Sequence, residues 1–538
     1  MKNYDYIIIG AGSAGCVLAN RLSENSNYQV LILEAGGPDT NFKIQIPGAY
    51  AKLHKSKDNW NFWTEPQSEV LNRKMYLPRG KTLGGSSSVN AMVYVRGNRA
   101  DYDGWAALGN KGWSYKELLP YFIRSENHEA VEEMDPGFHG KDGELNVSFP
   151  TIFKTPFADA FIASCEKIGI RNNRDYNGAK QEGASISQCT IKNGKRCSGA
   201  VAFLKPVLKR PNLTAITKAQ VTKIIFEGKK AIGVEYTKNG KNLTIRSSKE
   251  IILSAGAFQS PHLLMLSGIG DSNVLKEHGV DMVHELKGVG KNLQDHLFFP
   301  IGSEANVQEG INQYLPTLNQ IKPAWDYFIH NKGAYTATLL EAMAFINLDG
   351  KEAPPNLQLH FSPIWLGNDY SYDIYDIKTL PGTDGFTILP TLLQPKSRGF
   401  VTLRSKDPMA APVVQPNFLS EKEDLDVLVK GFKVALRILE QTPFKKYTKT
   451  FAPHLNDRSE NTLVQHIKKS LETVYHPVGT CKMGQDEMAV VNPELKVHGI
   501  ENLRVVDASI MPKIVSGNTN APTFMIAEKA ADMILNKI

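Results

Sequence analysis

The sequence predicts an α/β fold, α+β when the whole chain is counted, and three observations point to it. A strand, a glycine-rich turn, a helix and a second strand follow one another within the first 34 residues. Short apolar strands recur between Leu213 and Ser254. The 538 residues suffice for two or more packed units, and 42% hydrophobic against 22% charged residues excludes a disordered chain. Glycine (43) and proline (29) are near ordinary usage and show no triplet period, which excludes collagen-like and low-complexity classes.

The first element is a strand from Tyr4 to Ile9. The turn GAGSAG follows, Gly10 to Gly15 with Ser13 and Ala14 inside it, and a helix runs on through Cys16, Val17, Leu18, Ala19 and Leu22. Gly10 permits the turn, Gly12 lets a pyrophosphate approach the backbone, and Gly15 allows close helix-to-strand packing. The second strand, Val30 to Leu33, ends at Glu34 and Ala35. Glu34 stands 19 residues after Gly15, where an acid binds ribose hydroxyls. Together these make a Rossmann-like dinucleotide site, with FAD and NAD both open at this point.

A second small-residue cluster, RGKTLGGSSSVNAMVYVRG, spans Arg79 to Gly97. Gly80-Lys81-Thr82 imitates the end of a phosphate loop, but position 75 is Met where that loop needs glycine, so a Walker loop is rejected. What is left is a loop, Gly84 to Ser88, able to bring backbone N–H groups close to a flat or anionic ligand. The segments LTAIT, VTKIIFE and AIGVEY read as a β-meander, and Glu250 to Ser254 as a strand returning to the nucleotide sheet. Between 301 and 469 strand-like stretches such as PNLQLHF and GFVTLRS accompany one helical segment, Glu421 to Gln441. Pro522 followed by Thr523 to Leu535 describes a final helix capped by Asn520 or a neighbour.

The net charge of +7 is dispersed in short pieces, so a nucleic-acid partner is not expected. No apolar run approaches the roughly 18 to 20 residues of a membrane span, and the N-terminus has no long apolar core or small-residue cleavage site. The expectation is a cytoplasmic chain without a transmembrane segment, peripheral membrane association being left open. Cys16, Cys165, Cys189, Cys197 and Cys481 form no CxxC pair, which fits reduced thiols. A GxSxG elbow and an HExxH metal motif are both absent, so neither hydrolase class is supported and no metal is expected.

Over essentially its whole length the chain resembles the glucose-methanol-choline (GMC) oxidoreductases, FAD enzymes that oxidise alcohols. RGKTLGGSSSVNAM and GAFQSPHLLMLSGIG match the family's two signatures. GVGKNLQDH (Gly288 to His296), YHPVGTCKMG from Tyr475 and the segment from Leu503 complete the match. The resemblance implies FAD against Gly10, Gly12, Ser13, Ala14, Gly15, Glu34 and Ala35 at the first turn. In the second cluster it implies Thr82, Gly84, Gly85, Ser86, Asn90 and Val93. Farther on it implies Val221, Ala255, Gly256, Asp507, Ala508 and Asn520. Many members link the flavin to a His in the second cluster; here the position is Val89, which implies noncovalent FAD.

The resemblance also implies the division of the chain. Residues 1–155, 196–300 and 470–538 would form a discontinuous FAD-binding domain, and 156–195 with 301–469 a substrate domain built on an antiparallel sheet with helices. His476 falls at the catalytic-base position, a role that suits an imidazole near neutral pH. Asn520 is taken as the residue that shares the substrate hydroxyl with the base. Glu341 and His360 correspond to substrate-side positions, and Glu341 with Phe361, Trp365 or Tyr335 would be the means of caging a quaternary ammonium. Leu339-Leu340 replace the Asn-His of choline enzymes, which favours a neutral primary alcohol. Choline dehydrogenation and an O2-using alcohol oxidase are the alternatives, and the electron acceptor, quinone or O2, is open.

Overall fold

The structure is a computed structural model describing residues 3–350, 353–367, 369–451 and 457–537. Two large sheets organise it. In the first, the strand order is Leu213–Ile216, Val30–Leu33, Tyr4–Ile9, Lys241–Leu253, Lys230–Lys238 and Gln220–Glu227, and Leu503–Val505 also pairs with Lys241–Leu253. Ile7 sits between Leu31 and Ile251, and Leu253 opposite Val505, all in parallel register. Strands covered on both faces read as unbroken apolar runs, as III and VLIL do here.

Lys241–Leu253 serves both halves of this sheet. Its first residues pair antiparallel with Lys230–Lys238 and are largely exposed, whereas Ile251, Ile252 and Leu253 are buried between Tyr4–Ile9 and Leu503–Val505. Asn239 and Gly240, both at positive φ, make the tight turn that joins the two antiparallel strands. The helix Ser13–Leu22 lies against the C-terminal helix Asn520–Ile534, and buried Glu528 ties them by an ion pair to Arg21 at 2.8 Å. That helix opens at Asn520, three residues before the expected Thr523.

The second sheet is antiparallel, in the order Thr448–Phe451, Ile301–Ala305, Gly385–Leu392, Leu357–Ser362, Ala342–Ile346 and Gly183–Ile186. Helices Pro156–Lys167, Lys422–Leu439 and Glu460–Ser470 pack on one face, where Phe157, Phe161, Phe432 and Ile467 meet Leu357, Leu359 and Phe361. Because side chains alternate along a strand, Gln358, His360 and Ser362 must face the other way. They look toward the first sheet, and this alternation turns one face of the sheet into a cavity wall.

Three expectations are corrected here. Besides Lys422–Leu439, the stretch 301–469 contains the helices Ile321–His330 and Glu460–Ser470, the first with proline in its opening turn. Leu297–Phe298 and Glu472–Thr473 pair with each other, and Leu297–Phe298 also pairs with Gly385–Leu392, so both join the second sheet although the expected boundaries put them with the first. Among the described residues Phe400–Thr402 forms its ladder with Val413–Gln415, in a ribbon separate from both large sheets.

Candidate active site

One long cavity runs from the first glycine turn to the second sheet, with Glu34 toward one end and His476 and His360 toward the other. At the turn, a β-carbon on Gly15 would lie 1.9 Å from the Gly10 carbonyl oxygen, so only glycine lets the helix sit this close. A β-carbon on Gly12 would meet nothing within 4 Å, and Gly12 lines the cavity at the helix N-terminus. This is the geometry that admits a pyrophosphate to free N–H groups. Glu34 is pinned by the N–H groups of Ala11 (2.8 Å) and Gly36 (2.7 Å), which orient it, and burial raises its carboxyl to about 7 against those two bonds.

Of the residues expected against the cofactor, Gly10, Gly12, Ser13, Ala14, Glu34, Ala35, Gly85, Ser86, Asn90, Val93, Val221, Ala255, Gly256, Asp507, Ala508 and Asn520 line the cavity. Gly15, Thr82 and Gly84 do not line it and shape the wall from behind. The Gly84 N–H donates to the Ala11 carbonyl at 2.7 Å, and the Thr82 hydroxyl to that of Gly37 at 3.0 Å. Along the same wall Ser254 Oγ, Gln259 Oε1 and His262 Nε2 are buried with no partner among the described residues, although buried polar atoms are normally paired. A long ligand rich in polar groups, anionic near Gly12, fits this lining.

At the far end the backbone of Tyr475 takes the left-handed conformation (φ 63°), uncommon for a bulky residue. Its carbonyl accepts from the half-buried Arg79 guanidinium, and the His476 N–H donates to Asp295 Oδ1 at 2.7 Å. The ring of His476 is thereby presented to the cavity. Its partners fix its tautomer. His296 Nε2 lies 3.1 Å from the Leu393 carbonyl oxygen and must carry the proton, and burial lowers His296 to about 3, so it is neutral. His296 Nδ1 is then an acceptor, and His476 Nδ1, 3.0 Å away, donates to it. This leaves the Nε2 of His476 as a lone pair, to which Asn518 Nδ2 donates at 3.2 Å; Asn518 Oδ1 accepts from Gln358 at 3.4 Å. Burial, and after it the positive charge of Arg79, hold His476 well below the ordinary histidine range, so it stays neutral and able to take a proton.

Asn520 does not stand beside His476: its Oδ1 accepts from Ser13 at 2.7 Å, joining the two helix starts at the cofactor end. The neighbour of the imidazole is Asn518. In SGNTN two asparagines stand two residues apart, and only the course of the backbone separates them. His296 closes the GVGKNLQDH segment, but nothing in that motif announces that its ring meets His476.

The GMC oxidoreductase profiles match residues 4–298 and 395–527. The chain is 44% identical over 99% of its length to the alcohol dehydrogenase [acceptor] of Pseudomonas putida, covering 96% of that protein. It is 42% identical, again over 99%, to oxygen-dependent choline dehydrogenase 1 of Chromohalobacter salexigens, of which it covers 95%. The R554A formate oxidase of Aspergillus oryzae superposes with a TM-score of 0.91 at 28% identity, covering 100% of this chain and 98% of the other. The chain belongs to the GMC oxidoreductase family.

In this GMC oxidoreductase the two expected substrate-side residues part company. His360 lines the cavity. Its Nδ1 meets the Thr391 hydroxyl at 3.3 Å, its Nε2 is buried with no partner among the described residues, and burial lowers it to about 4. Glu341 turns away: its two oxygens accept from the N–H (3.0 Å) and hydroxyl (2.6 Å) of Thr155, and it is no part of the lining. Phe361 and Trp365 lie in the core on the helix side, so of the three aromatics that would cage a cation only Tyr335 reaches the cavity. Among the described residues the acidic side chains lining it are Glu34 and Asp507, both at the cofactor end; the lining contributed by residues 301–469 includes Leu339, Leu340, Ile364 and Leu389. Val89 also lines the cavity. The described residues contain no cluster of three His, Cys, Asp or Glu able to hold a metal, and no helix long and apolar enough to cross a membrane.

Proposed function

We propose that this GMC oxidoreductase converts a neutral primary alcohol to its aldehyde, with FAD held noncovalently. The enzyme acts on CH–OH donors, and FAD supplies the hydride acceptor when bound. The observation that carries the substrate class is the turning of Glu341 onto Thr155, which leaves the substrate end without an anion for a quaternary ammonium and with aliphatic walls. That end receives a chain of CH2 groups with its hydroxyl toward His476.

The chain's own residues handle the proton. His476 Nε2 accepts it from the hydroxyl, and the positive charge that results is shared through Nδ1–H with His296 and, beyond it, the Leu393 carbonyl. Asn518, whose N–H occupies that lone pair in the free site, turns its N–H onto the hydroxyl oxygen when the alcohol binds, and His360 Nε2 lies ready as a second acceptor. The N-terminus of Asn520–Ile534, facing the cofactor end, favours negative charge there. Val89 has no nucleophile with which to bond a flavin, which supports the noncovalent reading. The buried, unpaired thiols support a reducing, cytoplasmic setting. The strands of the first sheet support 1–155, 196–300 and 470–538 as the FAD-binding domain, less Leu297–Phe298 and Glu472–Thr473.

Anaerobic flavin bleaching across straight-chain primary alcohols, aromatic alcohols, polyols and choline tests the reading. Straight-chain alcohols are expected to reduce the flavin fastest. Faster reduction by choline than by a neutral alcohol of matched size would overturn it.

A further inference from the structure

The helix Ile321–His330 is built the wrong way round for a helix of a soluble core. Ile321, Trp325, Phe328 and Ile329, spaced i, i+4, i+7 and i+8, share one face, and that spacing ordinarily marks the side that turns inward. Here they are 68%, 61%, 60% and 59% exposed, and Leu318 on the preceding turn is 80% exposed. Five of the sixteen exposed large apolar side chains among the described residues thus fall within twelve positions. The opposite side anchors the helix: Pro323 and Tyr327 are buried, Tyr327 packing against Ile46, Ala49 and Tyr335.

Cations border this face. Lys322 and Lys332 belong to the same segment, Lys52 donates to Gln320 just before the helix at 2.6 Å, and Lys43 is close enough to act on Lys52. None of these four ammonium groups is in an ion pair among the described residues, while Asp326, the acidic side chain of the helix, is half-buried. Phe42, beside Lys43, is 61% exposed as well. The cavity opens next to the helix, since Tyr314, Leu315 and Gln320 before it and Tyr335 after it are part of the lining.

We propose that this face docks on an anionic phospholipid surface and seats the cavity mouth at the lipid boundary. A helix lying in the plane of the interface needs large apolar side chains on the buried side, a Trp at headgroup level, and lysines at the edge whose stems pass the apolar layer while their charges meet phosphates. This segment supplies all three. A lipophilic alcohol then passes from the bilayer into the aliphatic end of the cavity, a step that rests on the neutral-alcohol reading; the docking itself rests only on the surface.

The test uses the FAD-loaded enzyme and vesicles of phosphatidylcholine with and without phosphatidylglycerol. The wild type is expected to co-sediment with the anionic vesicles, less as salt rises. The triple variant W325S/F328S/I329S should bind at least about tenfold less, and K322E/K332E should lose the preference for anionic lipid. Both should keep flavin content, circular dichroism and turnover of a short water-soluble alcohol, because none of these residues touches the site. Absence of wild-type binding, or unchanged binding of the triple variant, would overturn the proposal. So would self-association abolished by the same substitutions, which assigns the face to a second copy. Vesicle binding is read without any substrate, so failure of the alcohol reading shows separately, in the choline comparison.

Discussion

Replacing His296 by alanine removes the group that sets the tautomer of His476 without touching the cavity lining. In the wild type the His476 Nδ1–H···Nδ1 bond to His296 is neutral before proton transfer and charge-assisted after it, and the 3.1 Å bond to Leu393 holds His296 as acceptor. A hydrogen bond to a charged group contributes about 1.5 to 3 kcal/mol, so its loss slows proton abstraction about 10- to 150-fold. The same bond favours the protonated ring, so its removal also lowers the proton affinity of His476. Only the neutral imidazole accepts the hydroxyl proton, so the acid limb of the rate profile moves to lower pH while the limiting rate falls. Glutamine at 296 can donate its amide N–H to Leu393 and accept from His476, and H296Q is expected to recover much of the rate. The assay is anaerobic stopped-flow flavin reduction at saturating alcohol across pH, with FAD content confirming an intact site. A wild-type limiting rate and an unmoved acid limb in H296A would refute the reasoning.

His476→Ala should keep FAD and fold while alcohol-driven flavin reduction falls about 10²- to 10⁴-fold, the usual worth of a general base, measured in the same instrument. Asn518→Ala should slow reduction about 10- to 100-fold, whereas Asn520→Ala, which loses only the bond to Ser13, should weaken FAD retention on dialysis with little change in the reduction rate of the loaded enzyme. Acid precipitation should leave FAD in the supernatant; colour held in the pellet would show a covalent bond to the chain. Glu341, buried and raised to about 7 by desolvation against the bonds from Thr155, has a folded pKa above its unfolded one. Its stability contribution is therefore complete below about pH 4.5 and is lost as pH rises toward 7, a cost of about 3 kcal/mol by linkage. Glu341→Gln keeps both Thr155 contacts and should flatten that part of the urea-unfolding profile without altering the choline-to-alcohol rate ratio.

What the sequence determined by itself is whatever chain-adjacent chemistry dictates. The turn from Gly10 to Gly15 between Ile9 and Ser13–Leu22, and Glu34 at the end of Val30–Leu33, follow from φ freedom, apolar runs and spacing, and the structure places them as those rules require. The proposed base, His476, could be singled out for the same reason, standing in a short segment of distinctive residues, and the structure puts it on the cavity wall. Tertiary structure alone decided matters in which remote segments meet. Asn518 faces His476 and Asn520 faces Ser13 because Thr519 already lies in helical geometry and carries the next side chains around to the other side. His296 became the partner of His476 because Asp295, one residue away, takes the His476 N–H and brings the two loops together. Glu341 left the cavity because Thr155, 186 residues distant, offers its carboxylate two donors where the pocket wall offers aliphatic groups. A 3.6-residue period marks an apolar face on Ile321–His330 but carries no sign for inside or outside. That sign was set when Tyr327 filled the space beside Ile46 and Ala49, with Pro323 buried on the same helix, leaving Trp325 and Phe328 no direction but outward.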